Sequence, residues 1–430
     1  MKFTEKEIQN YIWSKRDDFS VLLQDGCCEI EKPFFREDLS DLNANSLVRH
    51  RLNKKIKALY SKIFGLNLFG CEVPLLQAGN STIRTDFLAS FLDDTGIAVL
   101  ELKKSSQTER QAFTELLAYS NHLTTIFPTM SRDDIVYVLI SPMETRIARD
   151  AVIQSLTFDN RQIIALVPDF EDPNDITTLK LKLWMPSDSE LAELSAVAFN
   201  GSNFSVCKIV WEHNEEWWNP DKHENPSPHH IYKFNTIASQ ASQLMEEAGI
   251  HGFSYCSQLW SEFSELLPYT NSLVIVGLNP FAVARSHESL DSATMEHFFP
   301  NGLDPVNSEY VYESLETIWS SQLFRIGRRV VESATKTLDG NEGHIDQTFL
   351  DWKSYQDQLT EAICSNNFLV RPTGMIRDLF EDVKDADFSA CRRVGLENHP
   401  IHADMPYLGV DYLSSLNYFR QFIVRMFNAD

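Results

Sequence analysis

A chain of 430 residues, 43% of them hydrophobic, can bury more than one core, which excludes a disordered or fibrous protein. Its net charge of −23 argues at first against a nucleic-acid partner, yet the charge is unevenly placed. Residues 1–211 hold 23 basic and 29 acidic residues and residues 212–430 hold 15 and 32, whereas 45–167 hold 14 and 12, a net of +2. The start, MKFTEKEIQNYIW, lacks the apolar run of a signal peptide, and no stretch reaches the roughly 18 apolar residues of a membrane span. The seven cysteines are scattered, with Cys27 and Cys28 adjacent, and a reducing, cytoplasmic setting is expected.

Residues 1–44 read as a polar N-terminal extension with a helix near Glu5 to Trp13. From Ser46, Val48, Leu52, Ile56, Leu59 and Ile63 recur at four- and three-residue steps, the stripe of an amphipathic helix that stops at Gly65. Its other faces carry Arg49, Arg51, Lys54, Lys55, Lys57 and Lys62, with no acid from 46 to 62. Leu68–Gln77 predicts a first strand, which Pro74 weakens or places at a sheet edge. Thr82–Phe91 alternates, with Ile83, Phe87 and Phe91 on one face and Arg84, Asp86 and Leu88 on the other. Asp93-Asp94-Thr95-Gly96 reads as a hairpin loop, and Ile97–Lys103 as the third strand. Ser106-Gln107-Thr108-Glu109 has the capping-box pattern of a helix that runs to about Phe127 and stops at Pro128. Asp134–Ser141 predicts a buried strand, followed by a helix over Glu144–Leu156 and a strand over Gln162–Val167.

The order α-β-β-β-α-β, with a further α-β appended, predicts an α/β domain with a mixed sheet and helices on both faces. This domain is expected to span 45–210, with 171–210 as a short α/β extension. Residues 211–230, rich in Pro, Asn and charge, read as a linker or long surface loop. The remainder, 231–430, is expected to be a mainly α-helical, acidic domain, with Ser272–Leu278 as a strand or a buried helix piece. Its charge makes it an unlikely DNA-binding domain and suits a regulatory, sensing or assembly role, through a protein partner or a homo-oligomer.

Asp86, Glu101 and Lys103 form the strongest candidate catalytic cluster. Glu101 and Lys103 are two apart on a strand and share a face. A hairpin centred on Asp94 and Thr95 sets Asp86 opposite Lys103 and Leu88 opposite Glu101, so all three functional side chains point the same way; a one-residue slip would turn Asp86 to the other face. Phosphodiester hydrolysis needs an activated water and neutralisation of developing charge, which a carboxylate-held divalent metal supplies with help from a lysine. Acid-x-Lys triplets also arise by chance, and two others, Asp351-Trp352-Lys353 and Asp382-Val383-Lys384, serve as internal controls. Only the Glu101 triplet ends an apolar strand, IAVLELKK, where charge is unexpected unless the strand end opens into a site.

On "RTDF" at 84–87, "LELKK" at 100–104 and the α-β-β-β-α-β order, residues 45–167 resemble the PD-(D/E)XK nuclease superfamily, which includes restriction enzymes, Holliday-junction resolvases and RecB-like nucleases. The resemblance implies a restriction-endonuclease-like core, Mg²⁺ or Mn²⁺ as cofactor, ligation by Asp86 and Glu101, and a catalytic role for Lys103. Thr85 stands where the family pattern often has Pro. Many members add a Glu from the first helix; the 46–62 stretch offers none, and Glu31, Glu37 or Glu72 are the substitutes. Gln111, Glu115, Tyr119 and His122 share a face of the next helix, and RecB-like members place a Gln and a Tyr near DNA there. Gln111 and Tyr119, with Lys104 and Arg110, are therefore candidate substrate contacts, as are Arg51, Lys54 and Lys55 on the basic helix.

His213, His223, His229 and His230 fit no zinc spacing. Trp211, Trp217 and Trp218 read as a docking patch at a domain junction. Neither a Walker loop nor GxSxG occurs. The leading expectation is a metal-dependent nuclease acting on DNA, by analogy a bacterial phage-defence effector. The rivals are a metal-dependent ribonuclease and a catalytically silent nuclease fold used for binding or assembly.

Overall fold

The structure is a computed structural model that describes residues 2–24, 43–75, 83–92, 94–211, 227–260, 269–290, 305–335, 344–358, 365–399 and 402–427. It divides into two compact units, Met1–Lys32 with Arg49–Leu191, and Pro33–Val48 with Ala192–Asp430. None of the described helices is long and apolar enough to cross a membrane.

The first unit is built on a mixed six-stranded sheet in sequential order, β1 (Leu66–Leu75), β2 (Ile83–Phe91), β3 (Ile97–Leu102), β4 (Ile135–Ile140), β5 (Gln162–Phe170) and β6 (Leu179–Leu183). β1, β2 and β3 run antiparallel, β3, β4 and β5 parallel, and β6 returns antiparallel on β5. β4, IVYVLI, is buried at all six positions. Neighbouring residues of a strand point to opposite faces, so the centre of the sheet is covered on both sides. Pro74 lies in β1, an edge strand, where proline is tolerated.

The helices follow from their patterns. α1 (Glu5–Ser14) opens with a full capping box, in which the Thr4 side chain accepts from Glu7 N and Glu7 reaches back to Thr4 N. In α2 (Ala44–Ile63), Val48, Leu52, Ile56, Leu59 and Ile63 are all buried, as the stripe requires. α3 (Ser106–Ile126) and α4 (Arg146–Thr157) carry the crossovers between the parallel strands β3, β4 and β5. The expected capping box at Ser106–Glu109 does not form. Ser105 is the N-cap, and Glu109, fully buried, accepts instead from Ser141 Oγ, Glu144 N, Thr145 N and Thr145 Oγ1 at 2.7–3.2 Å. Those four donors hold the β4–α4 turn against α3, and the turn's unpaired amides outcompete the helix's own N-terminus for the carboxylate.

Two expected boundaries are corrected. Residues 2–24 are no separate extension: they belong to the first unit, and Leu23 bridges to Leu181 on β6. The first domain does not reach residue 210, because the unit closes at Leu191 and β7 (Phe204–Trp211) pairs in a second sheet.

That second sheet joins the helices expected of 231–430, which still hold most of its described residues. It contains six strands, with β8 (Gly252–Leu259), β9 (Asn271–Leu278), β10 (Ile345–Leu350), β11 (Ser365–Asn367) and β12 (Arg371–Thr373) joining β7. β9 is buried at every position, so no alternation marks it as a strand. Trp211, expected in a linker, is a core residue that stacks on Phe234 at 5.9 Å. The linker's residues 212–226, with Trp217, Trp218, His213 and His223, lie outside the described residues. His229 and His230 sit in the first turn of the helix Pro228–Glu247, where Ser227 accepts from His230 N.

Gly96 enters β3 at φ +118°, and a Cβ there would lie 2.4 Å from the Asp134 carbonyl oxygen. Gly96→Ala is expected to destabilise the protein by about 1–3 kcal/mol in urea unfolding, from left-handed strain and backbone collision together. A change within about 0.5 kcal/mol would show that this junction yields.

Candidate active site

The β2–β3 ladder pairs Ser90 with Ile97 and Phe87 with Leu100. The hairpin thus turns one residue earlier than expected, and the register differs by two. Extended by one pair, it sets Asp86 opposite Glu101, not Lys103. A shift of two keeps the parity, so Asp86 remains on the face of Glu101 and Lys103. Past Phe87 the ladder ends, and the Leu102 N–H is taken by Asp86 Oδ2 at 2.8 Å in place of a β2 carbonyl. Lys103 N in turn donates to Ile140 O at 2.8 Å, fixing the strand end against β4.

Glu101 and Lys103 are 2% and 8% exposed, deep for ionisable groups. The Lys103 ammonium sits between two carboxyls, touching Glu101 Oε1 and lying 2.7 Å from Glu115 Oε2 on α3. Burial opposes the lysine's charge, but both carboxyls together raise its pKa and keep it protonated. Burial first, then the Asp86 charge and a hydrogen bond shared with Glu115, push Glu101 up to about 10. Glu115 is lowered: burial acts against this, and its hydrogen bonds with Glu101 and Lys103 prevail. Asp86 rises to about 6, chiefly through burial, with the Leu102 amide and Lys103 opposing and Glu5 and Glu115 adding to the rise. Metal-free, the cluster therefore keeps a proton on Glu101 at neutral pH.

The cluster sets the Glu101 and Glu115 carboxyls against each other with Asp86 nearby, more acid than Lys103 alone can neutralise. Carboxyl oxygens held this way suit a hard divalent cation, which takes oxygen ligands and offsets the burial and repulsion that raise both pKa values. The residues present fit Mg²⁺ or Mn²⁺, with Asp86 and Glu101 as donors.

Two neighbours were not anticipated. Gln9, buried on α1, donates to Asp86 Oδ1 at 3.0 Å, and Glu5 accepts from Lys104 N at 3.3 Å. α1 therefore brings an acid near the cluster. Of the expected substitutes, Glu72 is instead paired with Lys6 at 2.6 Å, and Glu31 and Glu37 lie outside the described residues. The helix near Glu5 to Trp13 was expected from the sequence, but only the tertiary fold shows what its other face meets.

The candidate substrate contacts divide. Tyr119 is buried and donates to Arg84 O at 2.5 Å, tying α3 to β2; its hydroxyl is committed to the backbone rather than offered to substrate. Lys55 caps the end of α4, donating to Leu156 O and Asn160 Oδ1, each at 2.9 Å, which removes it as a phosphate contact. Arg49 pairs with Asp188 at 2.9 Å and Lys62 with Asp94 at 2.7 Å. Lys54, Lys57 and Gln111 are exposed, Arg51 and Lys104 half-buried. Arg110 lies on α3, in its first turns. The control triplets build no comparable cluster: Asp351 accepts from Ser354 N at 2.7 Å at a helix start, and Lys384 pairs with Glu381 one helical turn away.

No protein-family model, curated protein or solved structure compared with the chain matches it. The roles assigned to these residues accordingly rest on their geometry, which makes a stability prediction. A carboxyl raised from 4.5 to about 10 destabilises the fold as pH rises through that window, because the unfolded state releases its proton first. Glu101→Gln is expected to raise the unfolding free energy of the EDTA-treated protein by about 1–3 kcal/mol at about pH 8 in urea unfolding, and to gain little at about pH 5. An equal effect at both pH values would contradict a buried, protonated Glu101.

Proposed function

We propose that this chain is a divalent-metal-dependent nuclease that hydrolyses phosphodiester bonds, with DNA as its substrate. The observation that carries the reading is the convergence of Asp86, Glu101 and Lys103 at one strand end, two carboxyls and a lysine on one face of the sheet. Asp86 and Glu101 would hold the Mg²⁺ or Mn²⁺, which when bound acidifies a water and polarises the phosphate.

The chain's own groups have separate tasks. Lys103 is held charged by Glu101 and Glu115, and it offers a fixed cation to the negative charge that develops on the phosphate. Gln9 and the Leu102 amide orient Asp86. Glu115 keeps Lys103 in place and accepts a hydrogen bond from the Glu101 proton, so loss of that proton prepares Glu101 as a ligand. Exposed Lys54 and Lys57 on α2 supply a basic surface for the polymer backbone.

One observation favours the silent-scaffold alternative: both Asp86 oxygens already accept hydrogen bonds, and Lys103 neutralises its neighbours without a metal. Incubation of the purified chain with plasmid, linear duplex, single-stranded DNA and RNA separates the readings. The expected result is cleavage of DNA with Mg²⁺ or Mn²⁺, none with EDTA, and losses of about 10²–10³-fold in Glu101→Ala and Lys103→Ala. Preferential cleavage of RNA selects the ribonuclease. Inert wild type that also binds no Mn²⁺ selects the scaffold.

A further inference from the structure

A second cluster of metal-ligating side chains lies far along the chain, in the second unit. Asp387 and Cys391 stand four residues apart on one face of the helix Gly374–Val394. His399 follows the short 3₁₀ turn Leu396–Asn398, and His402 lies three residues on. One donor atom from each of the four residues falls within 4.8 Å of the other three. All four are buried, at 2%, 8%, 3% and 0% exposure.

Asp387 organises the group. His399 Nε2 lies 3.0 Å from Oδ1, His402 Nε2 lies 2.6 Å from Oδ2, and Tyr418 donates its hydroxyl to Oδ2 at 2.8 Å. The two imidazoles stack, with centroids 4.7 Å apart and planes 12° from parallel. If the group were only a satisfied buried aspartate, its imidazoles would use both ring nitrogens or leave the spare one to solvent. His402 does neither: it is fully buried, and its Nδ1 has no hydrogen-bond partner. A buried thiol beside a carboxylate and two imidazoles is also an unusual way to satisfy one aspartate, and a usual donor set for a borderline-soft dication.

We infer that Asp387, Cys391, His399 and His402 form a four-ligand Zn²⁺ site that pins His399 and His402 onto the helix Gly374–Val394. Four protein donors, one oxygen, one sulfur and two nitrogens, match the tetrahedral count of a closed zinc site and leave no position for substrate. Binding takes the thiol proton of Cys391 into solvent and leaves the thiolate on the metal. The site is independent of the nuclease reading, whose hard oxygen donors select a different class of ion.

The test is metal analysis of the untagged full-length chain. One zinc per chain is expected. The zinc absorption edge should report one sulfur and three nitrogen or oxygen neighbours, as the four residues require. Cobalt substitution should give a thiolate charge-transfer band. Cys391→Ser should abolish that band and the sulfur neighbour, and His402→Gln should lower zinc occupancy. Glu101→Gln should leave zinc content unchanged. A wild-type chain that takes up no zinc, a zinc edge without sulfur, or a Cys391→Ser chain that keeps its sulfur neighbour would each overturn the site. The wild-type edge and cobalt spectra decide the matter even if the variants fail to fold.

Discussion

The first unit depends on how three ionisable groups are kept at the end of an otherwise apolar strand. Glu101 and Lys103 are almost fully buried, and a buried charge without a partner is costly by several kcal/mol. The chain resolves this with a proton and a lysine: Glu101 retains its proton, Glu115 accepts it in a hydrogen bond, and Lys103 lies between the two carboxyls. That solution leaves three carboxyls around one lysine and pushes Asp86 up to about 6. Such a cluster is poor as a structural device. Apolar residues of similar size would hold the strand end at least as well. Its cost becomes intelligible if a cation completes it.

The sheet supplies the rigidity this arrangement needs. β3 is hydrogen-bonded on both sides, to β2 up to Leu100 and to β4 along its length. Its last residues leave the β2 ladder just where Asp86 takes the Leu102 amide. Functional groups placed on strand ends next to a fully buried β4 move little, so the spacing between carboxylates is set by backbone rather than by side-chain choice. α1 closes the cluster from another direction through Gln9 and Glu5.

Period-two alternation in Ile83–Phe91 and the acid-x-Lys triplet were enough to place Asp86, Glu101 and Lys103 on one face, because parity survives a two-residue register shift. The pairing partner was not legible, since the turn residues permit more than one hairpin centre. Gln9 and Glu5 were hidden because α1 is distant in sequence, and Glu115 was visible only as one member of a helix face. Of the second sheet only Ser272–Leu278 was legible, and only as a strand or a buried helix piece. NSLVIVGL is buried throughout and shows no alternation, and β11 and β12 are three residues each. Lys55 and Tyr119 look like surface contacts by type, yet their polar ends serve a helix terminus and a strand carbonyl. The Asp387 cluster was equally silent: its ligands are spread over a helix and a turn, with no Cys-x-x-Cys pair to mark them.

The central claim is that Asp86 and Glu101 form a cation site that is protonated when empty of metal. Calorimetric titration of Mn²⁺ into the EDTA-stripped chain at about pH 7, in two buffers of different ionisation enthalpy, measures this directly. The account predicts saturable binding with net release of a proton, lost in Glu101→Gln and Asp86→Asn. Binding without proton release, or binding that survives both substitutions, would contradict it.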